Sequence, residues 1–345
     1  MRGPGDSYLS KLWFSYRLRW KRRRLLWRIW RKRHQITAVF DRTAQIADDA
    51  ILCFATVRNE MLRLPYFLEH YRKLGVTQFL IVDNDSDDGT TAFLAAQPDV
   101  SLWTTAHSYK LARFGMDWLG WLQWQFGSGH WCLTVDADEL LIYPDSDTRG
   151  LPALTDWLDA RDITSFGALM LDMYPKGRLA DVDYQPDQDP IETLSWFDAD
   201  NYRHRQHPIF DNLWIQGGVR ERVFFAGDPQ KSPTLSKTPL VRWHWRHVYV
   251  SSTHQMLPRY LNHVFDKKTD RKVTGVLLHT KFLPNIGVKS AEEIDRAQHF
   301  ENSAVYVDYH RALTENPVLW SPQSYLYKNA QQLIDLGLMS KGDWG

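Results

Sequence analysis

Residues 51–84 read ILCFATVRNEMLRLPYFLEHYRKLGVTQFLIVDN, and this stretch decides the fold class. The runs 51–57 and 76–84 are rich in apolar and β-branched residues, as buried strands are. Between them, Pro65 suits the first turn of a helix and Gly75 suits its C-terminal stop. A strand, a helix and a second strand in this order predict a crossover connection between two parallel strands.

The alternation continues outward from this unit. We predict a helix over 90–96, a strand over 100–105, a longer helix across 110–126 and a strand over 131–136. Strands that alternate with helices imply an α/β fold, with a mostly parallel sheet covered by helices on both faces. In such sheets ligands bind beyond the carboxyl ends of the strands.

The signal weakens after about residue 150. Short strands are predicted at Gly167–Met173, Val219–Phe225, Leu240–Trp245 and Val273–Leu278. Two helices are predicted near the C-terminus, at Ala291–Phe300 and Gln323–Leu336. This part of the chain is expected to be a mixed α/β region followed by C-terminal helices.

Composition excludes several classes of protein. The chain has 345 residues, 43% hydrophobic and 24% charged, which excludes long disorder and fibrous structure. Its two cysteines, Cys53 and Cys132, lie inside apolar runs and are expected to be buried thiols of a reducing compartment. No stretch approaches the roughly 18 apolar residues of a membrane-spanning helix, and no signal-peptide core begins the chain. We therefore expect a cytoplasmic protein.

The segment 11–33 carries 11 Lys or Arg residues and no acid. Since the net charge of the chain is +1, the remaining residues carry −10. At helical spacing the segment has an aromatic stripe, formed by Trp13, Tyr16, Trp20, Trp27 and Trp30, and a second apolar stripe, formed by Phe14, Leu18, Leu25 and Ile29.

Trp and Tyr suit the level of lipid headgroups, and Arg and Lys are attracted to anionic lipid. We predict that residues 11–33 attach the protein peripherally to an anionic membrane surface. The alternatives are a helix packed on the protein's own body and an unstructured basic arm. Nucleic-acid binding is not expected, because the rest of the chain is acidic.

The motif Asp136-Ala137-Asp138-Glu139 follows the apolar run 131–135. Two carboxylates separated by one residue at a strand end can converge on one hard divalent cation, which keeps positions open for phosphate oxygens. This arrangement suits a nucleotide diphosphate. The structural alternative is an acidic pair that merely caps a loop.

A second acidic stretch, DNDSDDGT, begins at Asp83. It is not an EF-hand, because the sixth and twelfth positions, where that loop requires Gly and Glu, are Asp88 and Leu94. Asp83 or Asn84 could hydrogen-bond a base or a ribose at the end of the strand. The structural alternative is a polar loop in which Thr90 caps the following helix.

Taken together, residues 50–145, with the motifs VRNE, VDNDSDDGT and VDADE, resemble the donor half of family 2 glycosyltransferases. The resemblance is to a bacterial subgroup that is also similar to family 92 and has the GT-A fold. It implies a nucleotide-sugar-binding half over 48–150 and an acceptor-binding half over 151–290. The sequence pattern adds a basic aromatic segment over 1–40 and C-terminal helices over 291–345.

The resemblance also implies a metal-dependent, inverting transfer that uses Mn²⁺ or Mg²⁺. Four residues would hold the nucleoside, namely Arg58, Glu60, Asp83 and Asn84. Asp136 and Asp138 would hold the metal and the diphosphate. His279 is the best-placed later histidine for a metal ligand, with His254 as the second choice.

Further basic and acidic residues complete the expected site. Lys281 and Lys289 could face the diphosphate, and Arg113 could approach the donor unless it is a solvated surface charge. An inverting transfer also needs a general base to deprotonate the acceptor hydroxyl. Glu221 and Asp172 are the candidates, although Glu221 could instead pair with neighbouring arginines.

We therefore expect a glycosyltransferase that uses a UDP-sugar donor and a saccharide or lipid-linked acceptor in cell-surface glycan synthesis. One alternative is a nucleotidyltransferase, although VRNE stands where such enzymes usually carry a Gly-rich phosphate loop. The other is a non-catalytic, membrane-associated scaffold built on a transferase fold.

Overall fold

The computed structural model of the protein describes residues 7–265, 272–287, 289–290 and 303–344. Its helices include α1 (Tyr8–Lys32), α2 (Leu64–Lys73), α3 (Thr90–Ala95), α4 (Met116–Leu122), α5 (Leu151–Asp159), α6 (Pro190–Thr193), α7 (Gly218–Phe224), α8 (Ser303–Thr314) and α9 (Ala330–Asp335). The helix predicted at Ala291–Phe300 lies outside the described residues.

The strands are β1 (Thr37–Phe40), β2 (Ile51–Val57), β3 (Gln78–Asp83), β4 (Val100–Thr104), β5 (Trp131–Thr134), β6 (Glu139–Ile142), β7 (Ser165–Asp172), β8 (Trp196–Phe197), β9 (Arg203–Gln206), β10 (Leu213–Gln216), β11 (Ser236–Arg242), β12 (Val248–Ser251), β13 (Gln255–Leu257), β14 (Gly275–His279) and β15 (Tyr325–Leu326).

A nine-stranded sheet runs through the molecule in the order β1-β4-β3-β2-β5-β11-β7-β14-β6. Strands β4, β3, β2 and β5 are parallel to one another. From β11 onward the sheet is mixed, because β11 runs antiparallel to β5 and β7 while β14 runs parallel to β7. The predicted α/β class and its parallel core are confirmed.

The central strand β2 is buried on both faces. Ile51, Cys53 and Ala55 share a core with residues of α2 and α5, whereas Leu52 and Phe54 share another core with residues of α4. A strand covered on both sides needs apolar residues at every position, which explains the unbroken run seen in the sequence.

Helix α1 packs on the protein's own body along one face only. Its residues Phe14, Leu18 and Ile29 are buried in a cluster that includes residues of β12 and β13. Asp117 of α4, itself fully buried, accepts a hydrogen bond of 2.7 Å from Arg28 Nε. No helix among the described residues is long and apolar enough to cross a membrane.

The single helix predicted across 110–126 is wrong. Three consecutive residues, Arg113, Phe114 and Gly115, have left-handed φ angles of 54°, 56° and 77°, so the chain reverses there before α4 begins. A Cβ atom on Gly115 would lie 2.5 Å from Thr56 Oγ1. The close approach of this turn to β2 therefore breaks the helix.

The strand predicted at Val219–Phe225 is also wrong, because α7 occupies these residues. Gly217 has a φ of 140°, and a Cβ there would lie 2.4 Å from the carbonyl oxygen of Asn201. The Asn201 amide closes this turn with two hydrogen bonds of 3.0 Å to the backbone of the first residue of α7. Val219 and Val223, one helical turn apart, then pack in one apolar cluster.

The helix predicted over Gln323–Leu336 is shorter than expected. Its first residues form β15, which pairs with β8, and α9 begins only at Ala330. Asn329 caps α9, since its side-chain oxygen accepts a 3.0 Å hydrogen bond from the Gln332 N–H. The edge strand β1, antiparallel to β4, was not predicted.

We predict that Asp117→Ala lowers the free energy of unfolding by about 3 kcal/mol, because it leaves three partly buried cations without the buried carboxylate that they share. Asp117 contacts Arg28 and Arg113 at 2.7 Å and Lys32 at 3.6 Å. Urea unfolding measures the change. The exposed Asp48→Ala is the control and should change stability by less than about 0.5 kcal/mol. Equal effects of the two variants would show that the ion pairs of Asp117 do not stabilise the fold.

Candidate active site

Five of the expected site residues lie at one edge of the nine-stranded sheet. Because β11 is antiparallel to both β5 and β7, the strands β3, β5, β7 and β14 all run in the same direction. Asp83, Asp172 and His279 are the last residues of β3, β7 and β14, and Asp136 and Asp138 follow β5. Strand direction thus brings residues that are far apart in sequence to one edge of the sheet. Ligands of such sheets bind at this edge, beyond the carboxyl ends of the strands.

Four of the residues at this edge form a continuous series of polar contacts that we call the charged chain. Asp138 Oδ2 lies 3.2 Å from His279 Nε2, and His279 Nδ1 lies 2.6 Å from Asp172 Oδ1. Arg220 Nε of α7 donates to Asp172 Oδ2 at 2.7 Å. Acidic and basic side chains alternate along this charged chain, so each one offsets the desolvation cost of burying its neighbour's charge.

The charged chain shifts the pKa values of its members. Burial opposes the imidazolium form, but the Asp138 and Asp172 carboxylates raise the pKa of His279. Burial likewise opposes the ionised carboxylates, yet His279 holds the pKa of Asp138 well below its usual value. Arg220 and His279 together lower the pKa of Asp172 against the same opposition from burial.

The backbone around Asp138 is fixed to the segment after β14. The Thr280 N–H donates to the Asp138 carbonyl at 2.7 Å, and the Thr280 hydroxyl donates to the same oxygen at 3.1 Å. Since Thr280 directly follows His279, these two bonds hold the Asp138 and His279 side chains in register.

A buried lysine holds the other acids of the motif. Lys237, near the start of β11, lies 3.1 Å from Asp136 Oδ2 and also contacts Glu139. Glu139 and Lys237 are buried, whereas nearly half of the Asp136 side chain is exposed. Burial disfavours the charged amine, but Asp136 and Glu139 raise the pKa of Lys237, so it remains a cation.

The two aspartates of the motif therefore face different partners. Asp138 faces His279, whereas Asp136 faces Lys237. Within the described ranges, no three His, Cys, Asp or Glu side chains are grouped closely enough to hold a metal ion by themselves. Two ligands about 2.1 Å from one octahedral cation lie about 3 Å apart, and the 3.2 Å contact between Asp138 and His279 matches that separation.

The chemistry of this pair also fits a cation. A metal-ligating histidine usually donates its second ring nitrogen to a carboxylate, and Asp172 occupies that position beside His279. If a cation bound here, Asp138 and His279 would supply two of its ligands, a half-site to which phosphate oxygens would have to contribute the others.

Basic residues surround Glu60 beside the half-site. Lys289 Nζ lies 2.5 Å and Arg63 Nη1 lies 3.0 Å from the Glu60 carboxylate. Arg63 also donates to the Lys281 carbonyl at 3.3 Å. Burial raises the pKa of Asp138, but His279 lowers it, and Arg63 and Lys281 add to that lowering. Glu60 therefore organises cations near Asp138 and does not stand free to bind a ligand.

A cleft of about 490 Å³ opens beyond the carboxyl ends of β3 and β4. Asp83 lines it, and so do His34 and Gln35 from the segment after α1. The Asp83 carboxylate accepts hydrogen bonds from Ser86, at 2.5 Å from the hydroxyl, and from Thr91. The volume of the cleft lies in the range of small-molecule binding sites.

Arg58 and Asn84 shape the loop beside this cleft. Arg58 donates to the Asn84 carbonyl at 2.7 Å and to the Asp85 carbonyl. The buried Asn84 amide donates to the carbonyls of Thr105 and His107 at 2.9 and 3.0 Å. Both side chains are thus engaged by the backbone that borders the cleft.

Two other predicted positions lie elsewhere. Arg113 contacts Asp117 and the Tyr249 carbonyl, each at 2.7 Å, and does not line the cleft. His254 Nδ1 contacts the Ser236 carbonyl at 2.8 Å, and burial lowers the pKa of His254 to about 4. His254 is therefore an uncharged, hydrogen-bonded histidine of the core.

The two general-base candidates are both engaged. Glu221 in α7 pairs with Arg203 and accepts a 2.6 Å hydrogen bond from the Ser232 hydroxyl. Both oxygens of Asp172 are occupied within the charged chain. Neither carboxylate has an oxygen without a protein partner.

Sequence reasoning missed Lys237, Arg63, Arg220 and the contribution of the segment after α1 to the cleft. Lys237 carried only a weak signal, because it lies just before the predicted strand Leu240–Trp245, whereas the observed β11 begins at Ser236. A buried lysine needs an acidic partner, and Asp136 and Glu139 were available. Arg63 and Arg220 carried no such signal, because their partners come from other elements.

Comparisons with known proteins add no relatives. No model of a protein family matches the chain, and no curated protein matches it either. The functional interpretation therefore rests on the geometry of the site.

We predict that Lys237→Met lowers the free energy of unfolding by about 3 kcal/mol, because the buried Glu139, whose pKa burial already raises to about 7, would lose its cation and would have to stay ionised without a partner or take up a proton. The double variant Lys237→Met/Glu139→Gln should recover most of that loss. Chemical denaturation measures both. The exposed Lys231→Met serves as the control, and a Lys237→Met effect as small as that of the control would show that the buried pair is not required.

Proposed function

We propose that this chain is a metal-dependent glycosyltransferase that moves a sugar from a nucleotide-diphosphate donor to a saccharide or lipid-linked acceptor. One observation carries the proposal. Asp138 and His279, braced by Asp172, lie at the same sheet edge as a polar cleft that can accommodate a nucleoside. The resemblance of residues 50–145 to family 2 glycosyltransferases supports the same chemistry.

A divalent cation would take the place of the proton between Asp138 Oδ2 and His279 Nε2, and the carboxylate and the neutral imidazole would then hold it. A nitrogen ligand beside carboxylates favours Mn²⁺ over Mg²⁺. When bound, the cation would neutralise negative charge on the donor diphosphate. Arg63, Lys281 and Lys289 add positive charge around it, which lowers the energy of a departing diphosphate.

We propose separate roles for the two base candidates. Asp172 is a positioning residue, because its oxygens hold His279 and Arg220 and its side chain is buried. Glu221 is the proposed general base of an inverting transfer. To act as a base it would exchange the hydrogen bond from Ser232 for one from the acceptor hydroxyl and accept that proton, with Arg203 keeping the carboxylate ionised before the transfer.

The donor base would lie in the cleft beside Asp83, with UDP as the proposed nucleotide. Arg58 and Asn84 would act by fixing the loop that borders it. We also propose a cytoplasmic location and a role in cell-surface glycan synthesis, in which a lipid-linked acceptor would bring the reaction to the membrane surface.

The metal half-site is tested by thermal shift with UDP and Mn²⁺. Ligands at 100 times their dissociation constant stabilise a protein by about 2.7 kcal/mol, so the wild-type melting temperature should rise measurably. Asp138→Asn and His279→Gln should lose most of that rise and most of the metal-dependent hydrolysis of UDP-sugars. The exposed Asp156→Asn is the control. A full shift in Asp138→Asn or His279→Gln would contradict the proposed ligands.

The role of Glu221 is tested with two variants that break the same ion pair. Glu221→Gln should lower the rate of transfer by about 10² or more, because it removes the base, while UDP binding persists. Arg203→Gln removes only the partner and should keep the rate within about tenfold of wild type. If the two variants lose the same activity, Glu221 acts only as a structural partner of Arg203.

A further inference from the structure

The outer face of α1 carries a row of exposed rings. It lies opposite the buried residues Phe14, Leu18 and Ile29, and its rings are between 43% and 61% exposed. They are Trp13, Tyr16, Trp20, Trp27 and Trp30. Exposed apolar side chains grouped on one surface mark an interaction site. Both stripes found in the sequence thus exist, and only one of them is used by the fold.

Guanidinium groups accompany the rings. Arg33 lies 4.0 Å from the centre of the Trp30 ring, and Arg31 lies 4.8 Å from that of Trp27. Segment 11–33 holds 11 basic residues and no acid. Aromatic rings with arginines beside them are the composition found at the level of lipid headgroups.

A second element extends this surface. Trp245 and Tyr260 are 45% and 53% exposed, and the Arg246 guanidinium lies 4.6 Å from the centre of the Trp245 ring. The segment that holds them packs against α1, because Arg259 lies 5.3 Å from the centre of the Phe14 ring and Val248 shares a cluster with Phe14. Two separate segments of the chain therefore contribute rings and cations to one region.

We propose that the outer face of α1, together with Trp245, Arg246 and Tyr260, docks on a bilayer that contains anionic lipid. We call these residues the lipid-facing surface. A symmetric contact with a second copy of the chain is disfavoured, because segment 11–33 would meet an equally basic, acid-free segment. Helix α1 would lie flat in the headgroup region, with its Phe14 face toward the protein.

The docked orientation has a consequence for the cleft. His34 and Gln35 follow α1 directly and line the cleft beyond β3 and β4. A membrane-bound α1 would therefore hold the cleft close to the bilayer. The lipid-facing surface shares no residue with the charged chain, so its binding to lipid can be tested apart from any transferase activity.

The test is co-sedimentation of the full chain with vesicles. We expect binding to vesicles of phosphatidylcholine mixed with phosphatidylglycerol, and much weaker binding to phosphatidylcholine alone. Added salt should reduce the binding, because it screens charge. A wild-type protein that stays in the supernatant with anionic vesicles would overturn the proposal.

Two variants separate the contributions of rings and charges. One replaces Trp13, Trp20 and Trp27 by Gln and should weaken binding about tenfold. The other replaces Arg23, Arg24 and Arg31 by Gln and should weaken it on the order of a hundredfold, since each cation near an anionic surface contributes about a factor of five. Unchanged binding in both variants would overturn the assignment of this surface.

Matched controls use exposed residues elsewhere. The apolar control replaces Phe40, Val318 and Leu326 by Gln, and the basic control replaces Lys73, Arg161 and Arg311 by Gln. Both should bind anionic vesicles like the wild type, and all variants should retain the wild-type melting temperature. Light scattering and binding to RNA complete the test. A wild-type dimer that dissociates in the tryptophan variant would contradict a lipid partner. Binding to RNA without binding to vesicles would contradict it as well.

Discussion

Buried charges at one sheet edge must be paired, and this constraint organises the candidate site. Asp138, His279, Asp172 and Arg220 come from four separate parts of the chain, yet each has its partner within 3.2 Å. Lys237 forms ion pairs with both Asp136 and Glu139. A charge buried without such a partner costs several kcal/mol, so the edge is stable only when all of these elements assemble together.

The mixed sheet makes this assembly possible. Because β11 runs against its two neighbours, Lys237 near its start meets the acids that follow β5, and Asp172 and His279 end their strands at the same edge. The parallel half contributes the cleft beside Asp83, and the mixed half contributes the imidazole and the cations. The two halves of the sheet thus supply different parts of one candidate site.

The sequence was sufficient where local pattern decides structure. The continuous apolar run of β2, the Pro65 and Gly75 signals around α2 and the acids after β5 all follow from nearest-neighbour chemistry. Prediction from the sequence failed where contacts between distant residues decide the local structure. The turn at Gly115 exists because it approaches Thr56, and the helix after Gly217 follows from two bonds to Asn201. The same limit hid Arg63 and Arg220, and Lys237 was missed because the predicted strand Leu240–Trp245 began after that residue.

The proposed function depends most on Asp138 and His279 sharing one cation with a nucleotide diphosphate. Pulsed electron paramagnetic resonance of the protein with Mn²⁺ and UDP tests this directly. We expect coupling of the Mn²⁺ electron spin to ³¹P of the diphosphate and to ¹⁴N of one histidine, with the nitrogen signal absent in His279→Gln. Phosphorus coupling without any histidine nitrogen, or a nitrogen signal that persists in His279→Gln, would contradict it.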